Sequence, residues 1–390
     1  MKNMKQVKVF ILLFGVFLVA YQAEGMNIKV RVLADNKLKT TDVNVVSGTY
    51  SVIGDNVKIF QSDLAVTSAV TLTCIDGKIR LEQGLEFIGI YSNIEFIGTK
   101  YNNIFSLKAP DILPVRVYEE NLLVSVSGGS LVFVNTVSLE KYVSGVVQSE
   151  VFGSSDEVEF YKIQAIATRT YCLANLNRHL AHGYNLCDGI HCQSYKGRCT
   201  QADILRGTYE TFNDVIVDSN NRLISTAYHS NSGGMTESAG NVWLLDIPYL
   251  QSIVDSFSIG ARNYEWELTI PVKQWVDYFV TNFGSKYSQP AYLEKITKFE
   301  QPYRIPKWII DGDTILTKDI RTYFKLRSTF FSVYSKGDNV LLKGKGYGHG
   351  VGLSQEGAIQ MVKQGYSCME ILRFYYKDIK IVKYTEIINL

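Results

Sequence analysis

The chain reads as an α+β protein: a mixed domain of several helices and β-hairpins preceded by an all-β accessory region. Three observations predict this. Short apolar-alternating runs separated by Gly, Asn and Asp fill the stretch from Met26 to about Pro114. Residues 139–171 then switch to helical periodicity. After them, helix signals and strand signals alternate to the C-terminus, an order of β first and mixed later. A length of 390 residues leaves room for two or three domains. We divide the chain into residues 1–25, 26–114 and 115–390.

The first segment has the layout of a secretory signal peptide. Lys2, Lys5 and Lys8 precede the apolar run Val9 to Ala20, and the small residues Ala23 and Gly25 follow. The run falls short of the about 20 residues of a transmembrane helix. An uncleaved N-terminal anchor is the alternative, and the lack of a Cys near Ala23 argues against a lipoprotein. The expected location is therefore across the cytoplasmic membrane, periplasmic or associated with the cell wall. The accessory region follows with IKVRVL, YSVIG, VKIF, AVTLTCI, KIRLE, FIGIYS and IEFIG, which suit a sandwich or barrel-like fold. A strand pair, VRVYEENLLVSV and SLVFVNTV, leads into the helices.

In the first helix, Leu139, Tyr142, Val143, Val146 and Val147 keep the spacing of one buried face. Glu150 lies about 20° from Leu139 around that helix, so a carboxylate ends an apolar stripe. In the second helix, Val158, Ala165, Cys172 and Leu176 share a stripe with Lys162 and Arg169. A Cys/His-rich loop (182–199), a helix from about Gln201 to Glu210, and the strand and turn LISTAYHSNSGGMTES come next. Pro271 fits the first turn of a helix over VKQWVDYFV. Strands resume through LRSTFFSVYS and VLLKGKGYGHGVG. The helix SQEGAIQMVKQ should stop at Gly365, and Ser367 with Glu370 forms a capping box for a further helix.

Composition excludes some classes. Hydrophobic residues make up 46% and charged residues 20%, as in ordinary globular proteins, and a net charge of +2 argues against a nucleic-acid binder. The 25 Tyr residues suit β-rich cores and also surfaces that stack on sugars. The six Cys do not form a disulfide scaffold: Cys187, Cys192 and Cys199 cluster, whereas Cys74, Cys172 and Cys368 stand apart as small hydrophobes.

Four constellations could carry chemistry. Glu150 against apolar neighbours would have a raised pKa, as a general acid near neutral pH requires. Lys162 and Arg169 would oppose that shift or orient substrate acetamido and carboxylate groups. The plain alternative is a solvent-facing Glu150 paired with Arg169. His182, Cys187, His191 and Cys192 make a tetrahedral zinc site that would be structural if all four bind. Disulfides between Cys187 and Cys192, or Cys192 and Cys199, are the alternatives. Glycines at 344, 346, 348, 350 and 352 read as a strand with one face free of side chains. That face admits another backbone or a flat sugar ring, and Lys345, Tyr347, His349 and Val351 stand on the other. Finally, Tyr228 to Gly234 reads as a cleft-lining turn with Asn231 and Ser232 as substrate donors. It lacks the elbow of a Ser hydrolase.

Taken in order, LVFVNTVSLEKYVSGVVQSE, KIQAIATRTY, CDGIHCQSYKG, AYHSNSGGMTESAGNVW with PYL, LRSTFFSV and GKGYGHGVGLSQEGA resemble the SpoIID/LytB family from about Val115 to the C-terminus. The resemblance implies a peptidoglycan lytic transglycosylase that cleaves between N-acetylmuramate and N-acetylglucosamine with formation of a 1,6-anhydro ring. It makes Glu150 the single acid/base and Lys162, Arg169 and Tyr171 residues of the substrate cleft. It supports His182, Cys187, His191 and Cys192 as ligands of a structural zinc. Other members resemble amidase enhancers, so a non-catalytic, glycan-binding partner of an N-acetylmuramoyl-L-alanine amidase is the rival. A zinc hydrolase ranks last, because four protein ligands leave no open position. The signal-peptide-like start and the extra β region depart from the sporulation proteins.

Overall fold

The computed structural model describes residues 26–62, 69–110, 112, 114–151, 153–189, 191–243 and 245–387. The predicted signal peptide lies outside them. No helix among the described residues is long and apolar enough to cross a membrane. The mixed α+β class with a β-rich N-terminal part is borne out. Two compact units make up the chain. One comprises Met1–Ser154 with Cys172–Phe212, the other Ser155–Tyr171 with Asn213–Leu390.

In the first unit the strands are β1 (Asn27–Val32), β2 (Thr40–Ser47), β3 (Tyr50–Gly54), β4 (Val57–Ser62), β5 (Val70–Ile75), β6 (Lys78–Gln83), β7 (Glu86–Tyr91), β8 (Ile94–Gly98), β9 (Ile104–Lys108), β10 (Arg116–Glu119), β11 (Asn121–Ser127) and β12 (Ser130–Ser138). Helix α1 (Leu139–Val151), the two-residue β13 (Leu186–Cys187) and α3 (Ala202–Glu210) follow; α2 (Val158–Ala174), which lies between α1 and β13 in the chain, belongs mostly to the second unit. Two sheets form, ordered β13-β1-β12-β11-β8-β3-β4 and β10-β9-β2-β5-β6-β7. Period-two patterning puts Ile28, Val30 and Val32 of β1 inside, and Val43 and Val45 of β2. The inner faces meet where Tyr50 sets its ring edge-on to Phe105, with centroids 6.2 Å apart.

The expected break after residue 114 is corrected here. β1 pairs with β12 from Asn27↔Ser138 to Val32↔Phe133, and β8 pairs with β11. The predicted accessory strands and the hairpin that follows them are thus hydrogen-bonded into common sheets and cannot bury their faces separately. The stripe of α1 is as predicted: Leu139, Tyr142, Val143, Val146 and Val147 are all buried.

The second unit is built from α2, a three-stranded sheet (Glu265–Pro271, Asn339–Lys345, Phe331–Lys336), smaller strand pairs and several helices. Helix Val272–Phe283 starts one residue after Pro271, which caps it. Trp275 of this helix is fully buried and donates to the Ile296 carbonyl at 2.8 Å. Its ring lies 5.3 Å from Phe279 and 5.1 Å from Phe324, in a core cluster that also holds Tyr287, Trp308 and Phe331. Trp275→Ala is expected to destabilise the chain by about 3–5 kcal/mol, read as a lower denaturant midpoint. Ser354 caps helix Gln355–Lys363, and Ser367 with Glu370 forms the predicted capping box.

The glycine run is not the predicted strand. The strand stops at Lys345, and Gly346, Gly348, Gly350 and Gly352 all have positive φ. A Cβ on Gly352 would lie 2.2 Å from the Ala227 carbonyl oxygen, and one on Gly346 2.6 Å from that of Asn231. Backbone approaches at Gly346 and Gly352, and the His229 and Arg304 side chains at Gly348 and Gly350, leave no bare face for a sugar ring. Gly352→Ala should cost at least on the order of 1–2 kcal/mol for the left-handed backbone alone, before its steric clash.

Candidate active site and metal centre

Glu150 occupies the last turn of α1, where the buried stripe gives way to the surface. The residue as a whole is exposed. Its carboxyl, however, is crowded by protein atoms on the pocket side, and loss of hydration raises its pKa. Two groups oppose that rise: the Ser194 N–H donates to Oε1 at 3.0 Å, and the Lys196 charge lies nearby. Glu150 lines an open pocket of about 380 Å3 with Pro114, Arg116, Gln148, Lys196 and Arg198. An adjoining pocket of about 430 Å3 shares Arg116 and Lys196 and reaches Asp35 and Asp188. The chemistry available is one carboxyl, pulled both ways in pKa, in a groove lined by cations.

Close packing sets this geometry. The backbone of 195–197 lies against α1 at Gly145, where a Cβ would come 2.5 Å from the Gly197 carbonyl and 2.6 Å from the Tyr195 ring. Gly145→Ala would favour the helix by up to about 1 kcal/mol. We nonetheless expect lower activity or stability, because the methyl pushes away the segment that carries Ser194 and Lys196. Residue-level amide exchange of 194–200 would register that shift.

The Cys/His loop contains a cluster of metal-ligating type. His179, Cys187, His191 and Cys192 bring their ligand atoms within 4.8 Å of one another. Cys192 Sγ is 3.4 Å from His179 Nε2 and 3.6 Å from His191 Nδ1, and Cys187 Sγ is 3.7 Å from His191 Nδ1. Three of the four predicted residues are there; His182 is not. It ends the short helix Leu180–His182 before a left-handed Gly183, and its ring stacks on Tyr184 instead. His179, one turn earlier, takes its place. Sequence reasoning named only His182; His179, three residues before it, carries the same imidazole, and its place in the cluster is set by the fold. Neither disulfide alternative forms, since Cys187, Cys192 and Cys199 are free thiols. Burial and the neighbouring Cys192 thiol push Cys187 up to about 11.

Several other predicted contacts are corrected. Arg169 is wholly buried and donates to the Asp214 carbonyl at 3.0 Å, which removes its guanidinium from any substrate. Asn231 and Ser232 are also fully buried. The Asn231 amide donates to the Ser258 carbonyl and the Glu356 carboxylate, and its Oδ1 accepts from the Gly233 N–H. Ser232 donates to Asp255 at 2.7 Å and lies 2.5 Å from the Ser258 hydroxyl. These two residues hold a turn rather than a ligand. Lys162 pairs with Glu159 at 3.1 Å, and Glu159 also accepts the Cys368 N–H. Tyr171 is half-buried.

Tyr347 is exposed, with the Arg327 guanidinium 5.7 Å above its ring. His349 sits 5.3 Å from Trp243 and 5.5 Å from His229, and burial with the Arg321 charge lowers it to about 4. It is a neutral imidazole at physiological pH. Sequence reasoning missed Arg116, Ser194, Lys196, Arg198 and His179, because the groove is formed by segments far apart in the chain. A larger cavity of about 630 Å3 lies on the outer face of the three-stranded sheet. It is lined by Glu265, Glu267, Glu300, Lys343 and Lys345, and the Glu267–Lys343 pair at 3.3 Å fills part of its polar lining.

The SpoIID family model, described as stage II sporulation protein, matches residues 127–223, a span that includes Glu150 and all four cluster residues. Stage II sporulation protein D of Bacillus subtilis (strain 168) is 30% identical over 271 residues, covering 66% of this chain and 78% of that protein. The chain belongs to the stage II sporulation protein D family. The SpoIID protein of Bacillus amyloliquefaciens is likewise 30% identical over 267 residues, 64% of this chain and 75% of that one. Similarity reaches an amidase enhancer of Bacillus subtilis (strain 168), 25% identical over 294 residues, covering 62% of this chain and 40% of that protein. Within this SpoIID chain, the family match falls on the α1 carboxyl, the metal-type loop and α2.

Proposed function

We propose that this protein is a lytic transglycosylase of the cell wall, acting outside the cytoplasm on the glycan strands of peptidoglycan. The observation that carries this reading is the Glu150 carboxyl in its groove. Crowding favours the neutral acid, which can give its proton to the glycosidic oxygen between N-acetylmuramate and N-acetylglucosamine. The bond to the leaving sugar breaks as that oxygen is protonated. Glu150, now a carboxylate, is stabilised by the Ser194 N–H and the Lys196 charge. It then takes the proton of the muramoyl O6 hydroxyl, which closes the 1,6-anhydro ring. One carboxyl performs both transfers and no water is consumed, unlike the paired carboxylates of ordinary glycosidases. Formation of 1,6-anhydromuramoyl ends from purified glycan strands is the test.

The amidase enhancer among its relatives favours a second reading, a glycan-binding partner of an amidase. That reading expects glycan binding unchanged in Glu150→Gln and no anhydro product from the wild type. The apolar run after Lys2, Lys5 and Lys8 supports export.

The metal cluster fits zinc. Bonds of about 2.3 Å to sulfur and 2.0–2.1 Å to nitrogen at tetrahedral angles place neighbouring ligand atoms about 3.3–3.8 Å apart. Three of the six separations in the cluster, 3.4, 3.6 and 3.7 Å, lie within that range, and all six lie within 4.8 Å. Two thiols and two imidazoles are also the donor set zinc prefers. With His179, Cys187, His191 and Cys192 all bound, the ion cross-links the loop and offers no open position for substrate.

A further inference from the structure

Three consecutive residues in the last turn of α1, just before Val151, each accept a backbone N–H from one short segment. Ser194 donates to Glu150 at 3.0 Å, Lys196 to the Ser149 hydroxyl at 2.9 Å, and Thr200 to the Gln148 side chain at 2.7 Å. The segment is the continuation of the metal-type loop, and Ser194 stands two residues after Cys192.

Most of this loop is fastened without a metal. On one side, Asn185 exchanges two hydrogen bonds with Lys29, β13 pairs with β1, and Asp188 accepts the N–H groups of Leu33 and Ala34. On the other side, the buried Tyr195 donates to Asn135, and the Arg198 N–H donates to the Val117 carbonyl. Between these anchors, residues 191–194 carry their own bonds, and the Cys192 N–H donates to the Gly189 carbonyl at 3.0 Å. Tyr142 donates to Gln193 at 3.3 Å, and Arg178 donates to the His191 carbonyl at 2.9 Å. Two of the four cluster residues, His191 and Cys192, lie in this span. The other two, His179 and Cys187, lie outside it.

We propose that the metal loop is the positioning device of Glu150. A cation held by His179, Cys187, His191 and Cys192 fixes residues 191–194, and with them the Ser194 N–H that orients the carboxyl. The cation then touches neither substrate nor acid and acts only through the backbone of Ser194. This rests on Glu150 being the acid/base. The nearest rival role for the ion, holding the whole unit together, makes a different prediction.

The test compares the full chain loaded with zinc and stripped by a chelator, using residue-resolved amide exchange and the 13C shift of the Glu150 carboxyl against pH. On stripping, the Ser194 amide should exchange at least about 10-fold faster, while Lys196, Arg198 and Thr200 stay protected. The Glu150 titration should move to higher pH, because a hydrogen bond to its charged form is lost. Turnover should fall about 10- to 100-fold, as misplacement of a catalytic group does. Adding zinc back should restore all three. Unchanged Ser194 exchange overturns the proposal. So does loss of protection throughout the first unit, which would make the ion a general scaffold. Neither readout needs turnover. A chain that makes no anhydro product would sink the transglycosylase reading, while Ser194 exchange would still decide whether the loop positions Glu150.

Discussion

Glu150→Gln should abolish anhydro-product formation, with a fall of about 10²–10⁴-fold, the range a general acid contributes. Gln keeps the shape and can still accept the Ser194 N–H, so glycan binding and fold should survive. The same variant should report on stability. Crowding raises the Glu150 pKa above the ordinary carboxylate value, with Ser194 and Lys196 opposing the rise. A group raised on folding contributes stability in full below its unfolded pKa and loses it as pH rises through the folded value. Wild type should therefore lose stability across that window relative to Glu150→Gln, so the variant should melt at a higher temperature at pH 7 than its behaviour at pH 4 predicts. Wild-type turnover should also decline as pH rises through the Glu150 pKa, since the first step needs the protonated acid. Wild-type turnover in Glu150→Gln would rule out this assignment.

The second large effect concerns the fourth ligand. His179→Ala should lower zinc content sharply and thermal stability modestly, because a bound ion couples its binding energy to folding while most of the loop is fastened without it. His182→Ala should leave both near wild type, since its ring stacks on Tyr184 outside the cluster. Metal analysis of the purified variants, followed by melting with and without chelator, separates the two. Equal metal loss in both variants, or loss in His182→Ala alone, would overturn the structural choice of His179.

Local patterns were legible wherever neighbours in sequence decide the outcome. The α1 stripe, the Ser367 capping box and Gly365 after the penultimate long helix follow from periodicity and backbone chemistry alone. Misreadings arose where two conformations share one pattern. Alternating glycines fit a strand with a bare face and also a chain of left-handed turns, and only the close passes of Ala227 and Asn231 choose the turns. Polar residues in a Gly-rich turn look like ligand donors until their hydrogen bonds are counted, and Asn231 and Ser232 spend theirs on the protein.

By itself the sequence determined the α+β class, the placing of Glu150 at the end of a buried stripe, and three of the four metal-type residues. Each depends on spacings of a few residues, which helix and turn geometry convert directly into position. The tertiary structure decided which histidine joins the cluster, which polar groups are already satisfied, and what surrounds Glu150. Those depend on contacts between segments distant in sequence: Ser194 reaches the acid across 44 residues, and β1 finds β12 across the whole predicted accessory region. No local pattern carries such pairings, because they are fixed by the packing of complete sheets and helices.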